Sequence, residues 1–188
     1  MANRITTAPM QFTTSSTHRL MALNWRQKGI GALRITFGLV WCVAAWLKWQ
    51  PAFQNSFADQ VSGAKDGQPV LVQGWISLWV NLISANPTLF ARIEATTETA
   101  LALFLIFGVL SNLTYVVGIL LSLGIWSTAE GFGGPYVPGH STDVGTALPY
   151  AILFAILLSI AAGRYYSVDS WLSPRLGRFS FLAAGPGR

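Results

Sequence analysis

This sequence predicts an all-α membrane protein: a four-transmembrane-helix bundle with an external interfacial amphipathic helix. Three observations carry that reading. Four apolar stretches lie along the 188 residues, each near the ~20 residues that a helix needs to cross a bilayer. Only 10% of the residues are charged, whereas soluble domains carry about 25%. The arginines and lysines gather at the two ends of the chain rather than in one patch.

Residues 1–28 lack a short apolar core followed by a small-residue cleavage site. They read as a mobile, polar cytoplasmic tail and not as a removable signal. The first span covers about 30–50, and Pro51 stops it, because proline brings no N–H to the helical ladder. Residues 70–84, VLVQGWISLWVNLIS, set Leu71, Trp75, Leu78, Trp79, Leu82 and Ile83 at helical spacing between polar neighbours. That stretch is short and polar for a span. It reads as a helix lying at the outer interface, where tryptophan favours the boundary between lipid and water. A re-entrant helix packed over the bundle mouth is the alternative. The second span covers about 88–110, with Pro87 suited to a first helical turn. Ser111 and Asn112 make a tight turn, the third span runs to about Glu130, and the fourth covers about 144–163. The membrane domain thus takes 29–172, and 173–188 is a basic cytoplasmic tail. The run YYSVDSWLSPRLGR mixes aromatics and arginines in the manner of an anchor at the inner surface.

Orientation follows from the basic residues, which favour the cytoplasmic side. Arg4, Arg19, Arg26 and Lys28 precede the first span, and Arg164, Arg175, Arg178 and Arg188 follow the last. The loops on the other side hold only Lys65, with Asp59 and Asp66 nearby. Both termini are therefore expected in the cytoplasm of a multi-pass protein of the cell's inner membrane, with the two long loops outside. The net charge of +5 is split between the ends, so nucleic acid is excluded as a partner and the bilayer takes its place. The single cysteine, Cys42, rules out an intrachain disulfide, a CxxC pair and a cysteine-built metal site.

Ionisable residues inside a span are costly in lipid and face protein or water. The first span carries Arg34 and Lys48, 14 residues apart and nearly on one face, on a stripe shared with Gly31, Gly38 and Ala45. Small residues there let a neighbouring helix come close. The two cations either snorkel to the headgroups at each end or balance a buried negative charge. The second span carries Glu94 and Glu98, one turn apart on a common face. Glu98 falls near mid-bilayer, about 18 Å from the inner end at helical rise. Three readings stay open for it: a packing ion pair with Arg34 or Lys48, a proton-exchanging site for a quinone, or a neutral acid hydrogen-bonded to a neighbour. Arg92 lies on the opposite side of that span.

The last external loop, GFGGPYVPGHST, is flanked by Glu130 and Asp143 and holds His140. A histidine between two carboxylates is a candidate external site, although the spacing matches no metal motif and no metal is assigned. Asp143 is the expected cap of the fourth span. The loop glycines make no phosphate cradle, since they follow a helix and no Lys-Ser element comes after them.

Four spans beginning with ALRITFGLVWCVAAWLKW resemble the DoxX/DoxD superfamily. ARIEATTETALALFLIFGVLSNLTYVVGILLSLGIW is similar to the middle of that family, with its acidic second helix and glycine-bearing third. GFGGPYVPGHSTDVGTALPYAILFAILLSIAAGRYYSVD resembles the end of the DoxD branch. The resemblance covers roughly 29–172. It implies a membrane subunit of a quinone-linked respiratory redox complex. DoxD-like proteins belong to thiosulfate:quinone oxidoreductase, which oxidises thiosulfate to tetrathionate and passes the electrons to quinone. Any such activity is expected only together with partner subunits. On this reading a quinone is the substrate, held between the first two spans, and no bound cofactor is evident. Glu94 or Glu98 exchanges its protons, Arg34 or Lys48 balances charge, and Trp75 and Trp79 close the mouth. Glu130, His140 and Asp143 face the substrate or a partner. The rival reading is a non-catalytic accessory subunit that anchors a larger membrane complex. A small transporter is a third class, disfavoured because no inverted repeat is visible.

Overall fold

The computed structural model describes residues 15–137 and 143–185. Every regular element among them is helical. Helix α1 is Ser15–Lys48, α2 Pro51–Gly63, α3 Val70–Ser84, α4 Pro87–Phe107, α5 Ser111–Ser127 and α6 Ala147–Ser159. A C-terminal strap follows, made of one short helix, α7 (Asp169–Leu172), and 3-10 turns up to Leu182.

Two antiparallel pairs form the body. α1 lies along α4, and α5 along α6, with α4 and α5 joining the pairs. Gly38 makes the first contact possible: a Cβ there would stand 2.7 Å from Ile106 Cγ1 and 3.0 Å from the Ile106 amide nitrogen. Ala45, further along the same stripe, is buried as well. In the second pair the Phe154 ring lies against Gly118, in the space a side chain would fill. An aromatic knot ties the pairs together. Phe37 of α1 meets Phe154 of α6 at 4.8 Å and Tyr150 at 5.5 Å, both edge-on. Such pairs add about 0.5–1.5 kcal/mol each beyond the area they bury.

α2 and α3 fold over one end of this body, with Phe57, Val61, Ile76, Ile83 and Ala91 as a second core. The strap covers the other, or tail, end. α3 occupies the 70–84 stretch that periodicity marks as a helix. α2 has no counterpart in the sequence expectation. Pro51 not only stops α1 but opens α2 at its first turn, where a missing N–H costs nothing.

Several boundaries differ from expectation. Residues 15–28 belong to α1 rather than to a tail, since neither glycine nor proline interrupts the chain from there to Gly29. α4 ends at Phe107 because Gly108 turns left-handed at φ 65° and donates its N–H to Phe104 O. α6 has 13 residues, about 20 Å at helical rise, where 144–163 is expected to span. Among the described residues, only Trp25–Lys48 is long and apolar enough to cross a membrane. It turns Leu39, Val43, Trp46 and Leu47 outward.

Candidate functional site

The charges of α1 and α4 come together at the α2–α3 end. Lys48 stands in the last turn of α1, where a cation also suits the helix dipole. Its Nζ lies 2.5 Å from Glu94 Oε1 and 3.8 Å from Glu98 Oε1. The ammonium also sits 4.1 Å from the centre of the Phe53 ring, so α2 closes over the group. Gln54 Nε2 donates to Lys48 O at 2.7 Å and fixes the turn between α1 and α2. The one-turn spacing of the two glutamates lets a single lysine serve both. Glu98 is 2% exposed, and its Oε2 has no hydrogen-bond partner. A buried carboxylate oxygen left unpaired is costly.

An apolar cleft of about 340 Å³ opens beside this trio, between α4 and α5 and under α2 and α3. Glu94, Thr97 and Thr128 are polar points on a wall otherwise formed by side chains such as Phe57, Trp79, Phe90 and Leu121. Trp79 meets Trp75 edge-on at 5.9 Å, and Trp75 stays on the outside. No residue of α1 lines the cleft, whereas sequence reasoning places a ligand at the contact between α1 and α4. A shallower groove does follow that contact, past Cys42, Trp46 and Thr99, but it holds none of the acids.

Arg34 is not part of this trio. It lies at the tail end, fully buried, with its guanidinium turned to backbone. Nη1 donates to Leu105 O at 2.5 Å and Ile106 O at 3.3 Å, and Nη2 to Tyr166 O at 2.8 Å and Tyr165 O at 3.4 Å. It therefore satisfies carbonyls freed where α4 ends and where the chain turns into the strap. Of the two cations, Lys48 is the one that faces the acids of α4.

The matching anion is Asp169, which sequence reasoning passed over. It is fully buried. Oδ1 accepts from Leu110 N at 2.7 Å, and Oδ2 from Ser111 N at 2.8 Å and Ala184 N at 2.9 Å. One carboxylate thereby caps the start of α5 from a distant part of the chain and ties down the strap. Asn112 Nδ2 adds bonds to Phe181 O at 3.0 Å and Ala183 O at 3.2 Å.

The loop acids are also bound to backbone. Glu130, and not Asp143, caps α6: Oε1 accepts from Thr146 N at 3.2 Å and Oε2 from Ala147 N at 3.0 Å, and the Thr146 hydroxyl donates to Oε1 as well. Asp143 Oδ1 accepts from Gly145 N at 2.7 Å, within its own turn. His140 lies outside the described residues. Among the described residues, no group of three or more His, Cys, Asp or Glu could hold a metal ion. No family model, no curated protein and no solved structure matches this chain.

Proposed function

We propose that the chain is a membrane subunit of a quinone-linked redox complex, akin to the DoxD subunit of thiosulfate:quinone oxidoreductase, and that its cleft takes the quinone. The observation that carries this reading is the meeting of a membrane-length helix, an apolar cleft and a lysine–diglutamate trio. A neutral ring with an isoprenoid tail suits such walls, and each reduction needs protons delivered in a dry place. Glu94 stands at the wall and exchanges the proton. Lys48 bridges to Glu98, which holds the charge balance behind it. The electrons come from partner subunits.

On this reading α1, α4, α5 and α6 all cross the bilayer, with the strap anchoring their ends in the inner leaflet. The short α6 is extended by the turns on either side. α2 and α3 lie at the outer surface. Both termini are cytoplasmic, and a reporter active only in the cytoplasm should work at either end. An outside C-terminus would overturn the four-span arrangement.

The test of function is quinone reduction by the native assembly. Glu94→Gln keeps the shape of the side chain but cannot exchange a proton, so reduction of a short-chain quinone should fall tenfold or more while the complex stays assembled. Unchanged turnover would remove the trio from the chemistry. The accessory reading has one observation in its favour: Arg34, Asp169 and Glu130 are all engaged with backbone. It gains if purification yields a stable complex whose other subunits work without this chain.

A further inference from the structure

The tail end carries a second cleft, which takes no part in the quinone reading. It lies between residues 26–30 of α1 and the end of α6, has a volume of about 310 Å³ and is lined by Arg26, Gln27, Ile30, Ile160 and Tyr165. Its chemistry is graded along α1. Arg26 and Gln27 are exposed, and Ile30, one turn on, is half-buried and lines the cleft together with Ile160. A ligand that is anionic at one end and greasy at the other fits this order.

The surroundings repeat the pattern. Arg175 stacks on Trp171 with 3.8 Å to the ring centre, and Arg178 on Phe179 with 4.8 Å. Lys28 lies 5.8 Å from the Trp25 ring. Trp171, Phe179 and Phe181 are 60%, 47% and 66% exposed. Exposed aromatics paired with cations are suited to the depth at which headgroups meet acyl chains. No carboxylate among the described residues pairs with these cations. Among the described residues of this end, Asp169 is the acid, and its two oxygens are taken by three backbone N–H groups. Among the described residues no acid neutralises this surface, and such a positive face attracts an anionic leaflet.

We propose that the tail end binds anionic phospholipid, with the cleft at Arg26 and Tyr165 as a seat for one phosphodiester headgroup and the strap as a collar of cations around it. The guanidinium of Arg26 takes the phosphate oxygens, and an acyl chain runs past Ile30 and Ile160. Arg164, exposed just before Tyr165, adds a second cation. This inference rests on the membrane location proposed above, but not on the quinone.

The full chain, purified and placed in nanodiscs, tests it. Phosphatidylglycerol should raise the thermal midpoint by about 4 °C or more over phosphatidylcholine, the size expected when a ligand binds only the folded state of a chain of this length. Arg26→Gln combined with Arg164→Gln should keep the phosphatidylcholine midpoint and lose most of the increment. Native mass spectrometry of the unaltered chain from an equimolar lipid mixture should show phosphatidylglycerol retained over phosphatidylcholine, whether or not the variant folds. Equal midpoints in the two lipids, equal retention, or an increment that survives the double substitution would overturn the proposal. So would a full increment from soluble glycerol 3-phosphate. Protein that stays in solution without detergent would instead defeat the membrane location itself.

Discussion

The two ends of the bundle bury charge in opposite ways. At the tail end Arg34 donates to four carbonyls and Asp169 accepts from three N–H groups, all of them backbone. At the α2–α3 end Lys48, Glu94 and Glu98 face one another, and an apolar cleft opens alongside; each end keeps an unpaired buried atom, Glu98 Oε2 here and Arg34 Nε at the tail end. The tail-end pair is fully buried, whereas Lys48 and Glu94 keep 22% and 13% of their side chains exposed, and the consequence differs as well. A charge that holds backbone cannot change without loosening the fold. Charges that hold only each other can trade a proton and leave the helices where they are. The tail end is therefore a lock, and the other end is the place where chemistry can occur.

The largest effect should come from breaking the lock. Asp169→Ala strands three N–H groups in the interior and frees the strap, at a cost of about 3–5 kcal/mol. Little folded protein should survive in detergent. Asp169→Asn keeps one acceptor and should lose about half as much, as measured by thermal unfolding. A well-folded alanine variant would mean that the strap is an appendage, and the contrast between the ends would collapse.

The sequence shows one end far better than the other, for a physical reason. Lys48, Glu94 and Glu98 stand out because a charge in an apolar helix is conspicuous, and one-turn spacing puts the two acids on one face. α3 is legible for a similar reason, since its apolar positions repeat at helical spacing over 70–84. The lock is built from side chain to backbone over long range. Asp169 lies 58 residues from Ser111, and no local pattern links a carboxylate to amides so far away. The same holds for Arg34, whose partners 71 and 132 residues on are carbonyls that every residue carries. α2 did leave a signal, with Phe53, Phe57 and Val61 at four-residue steps behind a proline, and the loop reading passed over it. At α6 the nearer acid, Asp143, is the natural choice for a cap, but it turns back on Gly145, and Glu130 reaches across the loop instead.

An intermediate effect sharpens the contrast from the other side. Glu98→Leu removes one partner of Lys48 but leaves Glu94 at 2.5 Å, so the loss should be only about 1–2 kcal/mol. Glu98→Gln keeps the shape and part of the hydrogen bonding and should change stability by less than about 1 kcal/mol. If Glu98 balances charge for the proton exchange, quinone reduction should fall in both variants, out of proportion to stability. A glutamine variant that melts early but turns over normally would make Glu98 a packing residue and favour the accessory reading.

The smallest effect concerns the loop, which belongs to the α2–α3 end but is wired like the tail. Glu130 grips the first amides of α6, so Glu130→Ala should cost about 1 kcal/mol, the usual worth of a cap. Glu130→Gln keeps an acceptor oxygen and should recover most of that. Asp143 bonds only within its own exposed turn, and Asp143→Ala should cost less than about 0.5 kcal/mol. Thermal midpoints of the three variants, set beside quinone reduction at a temperature where all are folded, separate structure from chemistry. If the loop acids serve only the fold, activity should track the midpoint in all three. If Glu130→Gln melts like the parent yet loses turnover, then its carboxylate does more than cap a helix. The loop with His140 would then return as a working site at the end of the bundle where the charges are free to change.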